Sequence, residues 1–218
     1  MTVAKPLAEF VGTFFLVLVI GMTAFDPSLP SGLAPVAVAS VLTAMIFATS
    51  RISGAHFNPV VTLAFAIRGS TPRSEIVPFI LVQLGAAFFA GLVVVSAAPA
   101  AIGSESAITT LELKVVPTIV FETLFTFALV FVSISVAIGK PFAQNQAYAL
   151  GVGFVVLAGA YVAGPVSGAA FNPAVTLALG TMGIADWTDV WMPFGSQLAG
   201  AMLALAAFAI IDRESTGS

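Results

Sequence analysis

The chain has no cysteine, a single histidine, two tryptophans and two tyrosines. The missing cysteine removes disulfides, thiolate nucleophiles and cysteine metal sites from consideration. A lone histidine, His56, does not make a usual multi-ligand metal site. No Ser/His/Asp set and no phosphate-cradling glycine loop stands out, so neither an enzyme nor a bound cofactor is expected. Charge is the largest shortage. Asp, Glu, Lys and Arg make up 8% of the 218 residues, against about 25% in soluble domains. With 59% hydrophobic residues and a mean hydropathy of +1.10, the chain cannot clothe itself for water, and membrane lipid is its expected partner. The net charge of −3 is scattered and offers no basic face to nucleic acid.

What is abundant is the long apolar run. A helix crossing a bilayer takes roughly 20 apolar residues, and six stretches supply them: about 6–25, 34–50, 77–99, 116–138, 147–164 and 190–211. The first follows Lys5 as a signal peptide would. It contains Glu9, however, and similar runs follow, so a first transmembrane helix is expected rather than a cleaved leader. Two more apolar stretches, about 58–67 and 172–179, are too short to cross. Each opens with Asn-Pro, a helix start with proline at the first helical position.

Basic residues orient the spans. With a cytoplasmic N-terminus, Lys5, Arg51, Arg68, Arg73, Lys140 and Arg213 all fall inside. Only Lys114 falls outside, beside Asp26, Glu105, Glu112, Asp186 and Asp189. Both termini are then cytoplasmic.

The chain also repeats itself. SGAHFNPVVTLAFA (53–66) laid over SGAAFNPAVTLALG (167–180) matches at ten of fourteen positions, at an offset of 114. Glu9 pairs with Glu122 and Gln83-Leu84 with Gln197-Leu198 at nearly the same offset. Each half therefore holds three spans and one short segment. Three is odd, so the second half enters the membrane from the opposite side, giving an inverted 3+3 repeat with its site at the midplane. The predicted architecture is an all-α membrane protein: one domain over 1–218, with repeat one at about 1–100 and repeat two at about 115–215.

The short segments carry the chemistry. Non-helical backbone cannot face lipid, so each SGAxFNP stretch must be buried in protein or line water. Half-helices entering from opposite faces bring their N-termini together, each with roughly half a positive charge. Asn58-Pro59-Val60 and Asn172-Pro173-Ala174 stand at those ends, the Asn amides serving as donors and the paired positive ends repelling cations. The carbonyls of Gly54, Ala55 and His56, and of Gly168, Ala169 and Ala170, are left to point into a passage. This is the pattern of a passive pore for small neutral molecules.

Other residues admit two readings. Glu9 and Glu122 lie deep in spans and serve either a proton relay or the bracing of the nearby re-entrant backbone; their symmetric placement favours bracing. His56 suits structural contact or pore lining over pH sensing. Gln83 and Gln197 suit helix ties, and Gly85, Gly91, Gly151, Gly153, Gly159 and Gly200 suit close helix packing. Arg51 reads as a cytoplasmic anchor, with a vestibule charge that attracts anions as the alternative.

The doubled SGAHFNPVVT and SGAAFNPAV phrases, 114 residues apart within six spans, resemble the paired Asn-Pro-Ala motifs of the aquaporin, or major intrinsic protein, family. The resemblance runs over nearly the whole chain and includes Glu9 and Glu122. It implies a right-handed bundle of six helices with two re-entrant half-helices, and a homotetramer with one pore per subunit. A non-transporting junction or scaffold member of the family is the alternative of another class.

At one place the chain departs from that family's pattern. The outer constriction is usually built from four positions, including an arginine directly after the second Asn-Pro-Ala. Here that position holds Val175, and spacing carries the others onto Val38, Ala160 and Ala169. Water-selective members resemble an aromatic–His–Arg set there, and glycerol-conducting members keep the arginine beside bulky aromatics. The set in this chain is small and apolar. Without arginine's donors and charge, the implied cargo is larger and less hydrated: glycerol, urea, and metalloid hydroxides such as arsenous acid, with water as the alternative. The valine filter resembles bacterial members associated with arsenical resistance, which implies a bacterial inner membrane. The aspartate that glycerol-conducting members carry after the second motif is absent, Thr176-Leu177-Ala178 standing there instead.

Overall fold

A computed structural model describes residues 3–26, 28–30, 32–102, 110–138 and 147–216. Along these residues run α1 (Ala4–Phe25), α2 (Leu33–Ser53), α3 (Pro59–Ile67), α4 (Arg73–Ile102), α5 (Val115–Ile138), α6 (Ala147–Ser167), α7 (Pro173–Thr181) and α8 (Trp191–Thr216). Six of them, all but α3 and α7, are long and apolar enough to cross a membrane. The protein is a multi-pass integral membrane protein. Lys140 and Glu105, with the polar stretches around them, lie outside the described residues.

Burial is inverted relative to a water-soluble protein. Leu81, Phe89, Leu124, Phe154 and Ile210 are exposed, whereas Glu9, Thr13, Gln83, Glu122, Thr126 and Gln197 are wholly buried. Lipid accepts the first group at no cost. Hydrocarbon supplies the second group no hydrogen-bond partners. Glu9 and Glu122 find theirs inside the protein, on Gln83 and Gln197 among others, while the Thr13 and Thr126 hydroxyls have none among the described residues.

The packing follows the repeat. α1 lies against α2 and α4; α5 lies against α6 and α8 in the same way; α2 meets α6 where the halves join. The half-helices interlock the two units. α3, from the first half, packs on α5 and α8, and α7, from the second, packs on α1 and α4. Close crossings fall at glycines: a β-carbon at Gly153 would collide with Thr43 Oγ1, and one at Gly200 with the backbone carbonyl of Thr123. Gly91 and Gly151 also meet neighbouring side chains. Gly85 differs, since nothing stands within 4 Å of the place its β-carbon would take. Among the described residues it marks no close helix crossing.

Several helices outrun the expected spans, α2 reaching Ser53, α4 Ile102 and α8 Thr216, and two of the extensions have a visible cause. α4 begins at Arg73, a turn before the apolar run, where Lys5 Nζ reaches Glu75 Oε1 at 2.6 Å. α6 runs past 164 and carries Pro165 inside it, ending at Ser167. Proline is tolerated because only the final turn follows it, where Gly168 N still bonds the carbonyl of Gly164 at 3.1 Å.

Candidate functional site

Each half-helix begins on a capped asparagine. Asn58 (φ −153°, ψ 121°) and Asn172 (φ −157°, ψ 117°) hold extended backbone, and proline fills the next position of each helix. The Asn58 Oδ1 accepts from Val60 N at 3.0 Å, and the Asn172 Oδ1 from Ala174 N at 2.9 Å. One orphan donor per helix is thereby satisfied. The other side-chain atom does something the sequence reading did not reach. Asn58 Nδ2 donates to the carbonyl of Phe171 at 2.9 Å, and Asn172 Nδ2 to that of Phe57 at 2.8 Å. The two asparagines cross-tie the halves. Each amide has two N–H groups, so one remains on each for a passing solute.

The chain before each asparagine is strained. Ala55, Phe57, Ala169 and Phe171 have φ of 53°, 50°, 49° and 48°, a left-handed conformation that costs non-glycine residues roughly 1–2 kcal/mol each. Buried carboxyl groups hold it in place. Glu9 Oε1 accepts from His56 N (3.0 Å) and Ser53 Oγ (2.6 Å), while its Oε2 accepts from Phe57 N (2.7 Å) and Gln83 Nε2 (2.8 Å). Glu122 repeats the set with Ala170 N, Ser167 Oγ, Phe171 N and Gln197 Nε2 at 3.0, 2.7, 2.8 and 2.9 Å. The glutamines also reach the half-helices, Gln83 to Thr62 Oγ1 and Gln197 to Thr176 Oγ1. Each carboxyl group receives its four donors from its own half of the chain, which is the geometry of a brace.

The twofold pattern breaks in how the phenylalanines are housed. A β-carbon at Gly12 of α1 would collide with the Phe57 ring, and one at Gly159 of α6 would meet Phe171. The room for the ring thus comes from the first helix in one half and the second helix in the other. Phe125 stands where the first half has Gly12, and packs on Phe171 with centroids 5.3 Å apart.

A cavity of about 680 Å³ passes both asparagines. It follows α6 from Tyr148 to Pro165, roughly 26 Å at 1.5 Å per residue, close to the ~30 Å of a bilayer's hydrocarbon core. Val38, Ala160, Ala169 and Val175 all line it, as do Ala55, His56, Gly168 and Ala170. Gly54 does not: it caps α2 at φ 95°, its N–H bonded to the Ser50 carbonyl. The His56 ring stands over it, Nε2 lying 3.0 Å from where a β-carbon would be. That imidazole is buried against Phe65 and Phe79, and its Nδ1 lies 3.1 Å from Thr62 Oγ1. Pro59, Val60, Pro173 and Ala174 sit behind the asparagines and do not line the cavity; Glu9 and Glu122 also stand back from it.

Among the described residues no Asp, Glu, Lys or Arg lines this cavity. Its polar groups are the two asparagines, His56, Thr23, Ser133, Tyr148, Tyr161 and backbone. Much of the wall escaped the sequence reading. Leu42 and Ile46 on α2, and Tyr148, Val152 and Val156 on α6, line it at four-residue spacing. That stripe is an apolar face on an apolar helix, and nothing in the pattern separates it from the lipid face.

Comparisons with known proteins agree with this geometry. The family model described as Major intrinsic protein matches residues 2–209. Aquaporin NIP1-1 of Zea mays is 32% identical over 223 residues, covering 96% of this chain and 75% of the relative. Aquaporin NIP2-1 of Zea mays is 33% identical, with 98% and 73% covered, and Nodulin-26 of Glycine max is 28% identical, with 95% and 77% covered. The X-ray structure of the aquaglyceroporin from Plasmodium falciparum superposes with a TM-score of 0.76 over 94% of this chain and 95% of that one, at 19% identity, which speaks to fold.

Proposed function

This chain belongs to the major intrinsic protein family, and from that premise we propose that it is a passive channel for small neutral solutes through a wide, apolar constriction. The observation that carries the reading is the cavity wall: Val38, Ala160, Ala169 and Val175 face one space that no charged side chain enters among the described residues. An arginine at position 175 would fill part of that space and supply fixed donors to a hydrated solute. Valine leaves room and removes the donors. Neutral solutes larger than water are then admitted: glycerol, urea and undissociated metalloid hydroxides such as arsenous acid. Cation exclusion falls to the two half-helix ends, whose positive poles meet at Asn58 and Asn172.

Orientation and assembly belong to the same reading. Lys5, Arg51, Arg68, Arg73 and Arg213 lie at helix ends on the face that carries both termini, and Lys114 lies on the other with Asp26, Asp186 and Asp189. By the positive-inside rule the termini are cytoplasmic. A homotetramer with one cavity per subunit, in a bacterial inner membrane, follows from the resemblance of motif and filter.

Stopped-flow light scattering on proteoliposomes tests the proposal, with glycerol, urea and arsenous acid set against water. The expected result is solute flux well above that of empty vesicles. Water flux alone would sink the wide constriction, and no flux of any kind would point to the scaffold.

A further inference from the structure

α6 turns one face to the cavity beside the constriction. Ala160, Tyr161, Gly164 and Pro165 all line it, and their three- and four-residue spacing places them on one side of the helix. Pro165 lies inside this helix and has no N–H. The carbonyl of Tyr161, four residues earlier, therefore lacks its helical donor. That carbonyl points along the helix towards Pro165, within the stripe that faces the cavity. Gly164 does not cover it, having no side chain and nothing within 4 Å of where one would begin. The Tyr161 side chain is held elsewhere, its hydroxyl donating to the Gly32 carbonyl at 2.6 Å. The matching position of the first half is Arg51, whose backbone N–H is intact, so the released acceptor exists on one side only.

We propose that Pro165 makes the Tyr161 carbonyl a hydrogen-bond acceptor in the constriction, selecting neutral solutes that bear several hydroxyl groups over donor-poor molecules of similar size. The inference rests on the channel reading and names the solute class within it. The four side chains at positions 38, 160, 169 and 175 offer neither donors nor acceptors. A hydroxyl entering that ring loses water and needs a replacement partner, and this carbonyl lies one residue from Ala160. Pro165 acts through Tyr161 and is a positioning residue.

The test compares ethylene glycol with its monomethyl ether, 2-methoxyethanol, in proteoliposomes corrected for lipid leak. Pro165→Ala restores the N–H and occupies the carbonyl. Gly164→Ala leaves the proline and shields the carbonyl with a methyl group placed in open space. Either change is expected to lower the glycol-to-ether flux ratio by about fivefold, the weight of one neutral hydrogen bond. If wild-type protein passes neither solute, the channel reading itself fails. If wild-type protein passes glycol but both variants keep its ratio, or lose both fluxes equally, the channel stands and the role given to Pro165 is overturned. Should Pro165→Ala not fold, Gly164→Ala decides alone.

Discussion

Asn58 and Asn172 each donate to the carbonyl that precedes the other, at 2.9 Å from Asn58 Nδ2 to Phe171 O and 2.8 Å from Asn172 Nδ2 to Phe57 O. The residues that start the half-helices are therefore also the residues that join the repeats. A substitution at either one disturbs three things together: the cap, the joint and the field at the cavity's centre.

Aspartate separates these roles. In Asn58→Asp or Asn172→Asp the cap acceptor is kept, the cross-tie donor is lost, and a negative charge stands where two positive helix ends meet. Loss of the tie leaves a buried carbonyl without its donor, at a cost of about 1–3 kcal/mol. Sodium conductance in planar bilayers is expected to rise in both variants. Cation exclusion equal to that of wild type would show that the half-helix field is not the barrier.

Val175 gives a second prediction, because it lines the cavity together with Val38, Ala160 and Ala169. Val175→Arg places a long donor-rich side chain across that space. Glycerol and arsenous acid fluxes are expected to fall roughly tenfold or more, on the scale of pocket-size discrimination, while water flux persists. Solute flux that is unchanged in stopped-flow assays would remove Val175 from the constriction.

The fold was legible because the repeat and the apolar runs state it twice. Residues 53–66 and 167–180 share the phrase, and the odd number of spans between the copies forces the inversion. The roles of Glu9, Gln83, Glu122 and Gln197 were half legible. Their symmetric spacing marked them as paired, but a sequence does not reveal which backbone donors each receives. The cross-tie was not legible, because it joins residues 113 and 115 positions apart through carbonyls that carry no sequence signal. Nor was the wall formed by Leu42, Ile46, Val152 and Val156, which differ in no chemical respect from residues facing lipid. The carbonyls of Gly54 and Gly168 carry the same expectation of facing the passage, but His56, which the second copy replaces with Ala170, stands over Gly54.

The carboxyl braces predict matched losses. Glu9→Gln and Glu122→Gln turn an acceptor-only group into one whose amide faces backbone donors, leaving at least one buried N–H unpaired in each loop. Each orphaned donor costs about 1–3 kcal/mol. Thermal unfolding of the detergent-solubilised protein should show both variants lowered by similar amounts. A variant as stable as wild type would mean that its loop holds its left-handed residues without the glutamate.

The glycines that house the phenylalanines yield the sharpest contrast, because Gly12 is tied to the Phe57 ring alone. A β-carbon at Gly12 collides with Phe57, and one at Gly159 with Phe171 and Phe125. Gly12→Ala is expected to destabilise the protein by about 1–3 kcal/mol through overpacking, despite alanine's better helix propensity. Phe57→Leu in the same chain should recover most of that loss, since the smaller side chain vacates the space. Phe171→Leu should not, because that ring packs against Gly159 and leaves Gly12 untouched. A double-mutant cycle on unfolding temperatures reads the difference: coupling between positions 12 and 57, and near additivity between 12 and 171. Equal coupling to both rings would mean that the halves transmit strain through the asparagine cross-tie, and the two phenylalanines would then be one packing unit rather than two.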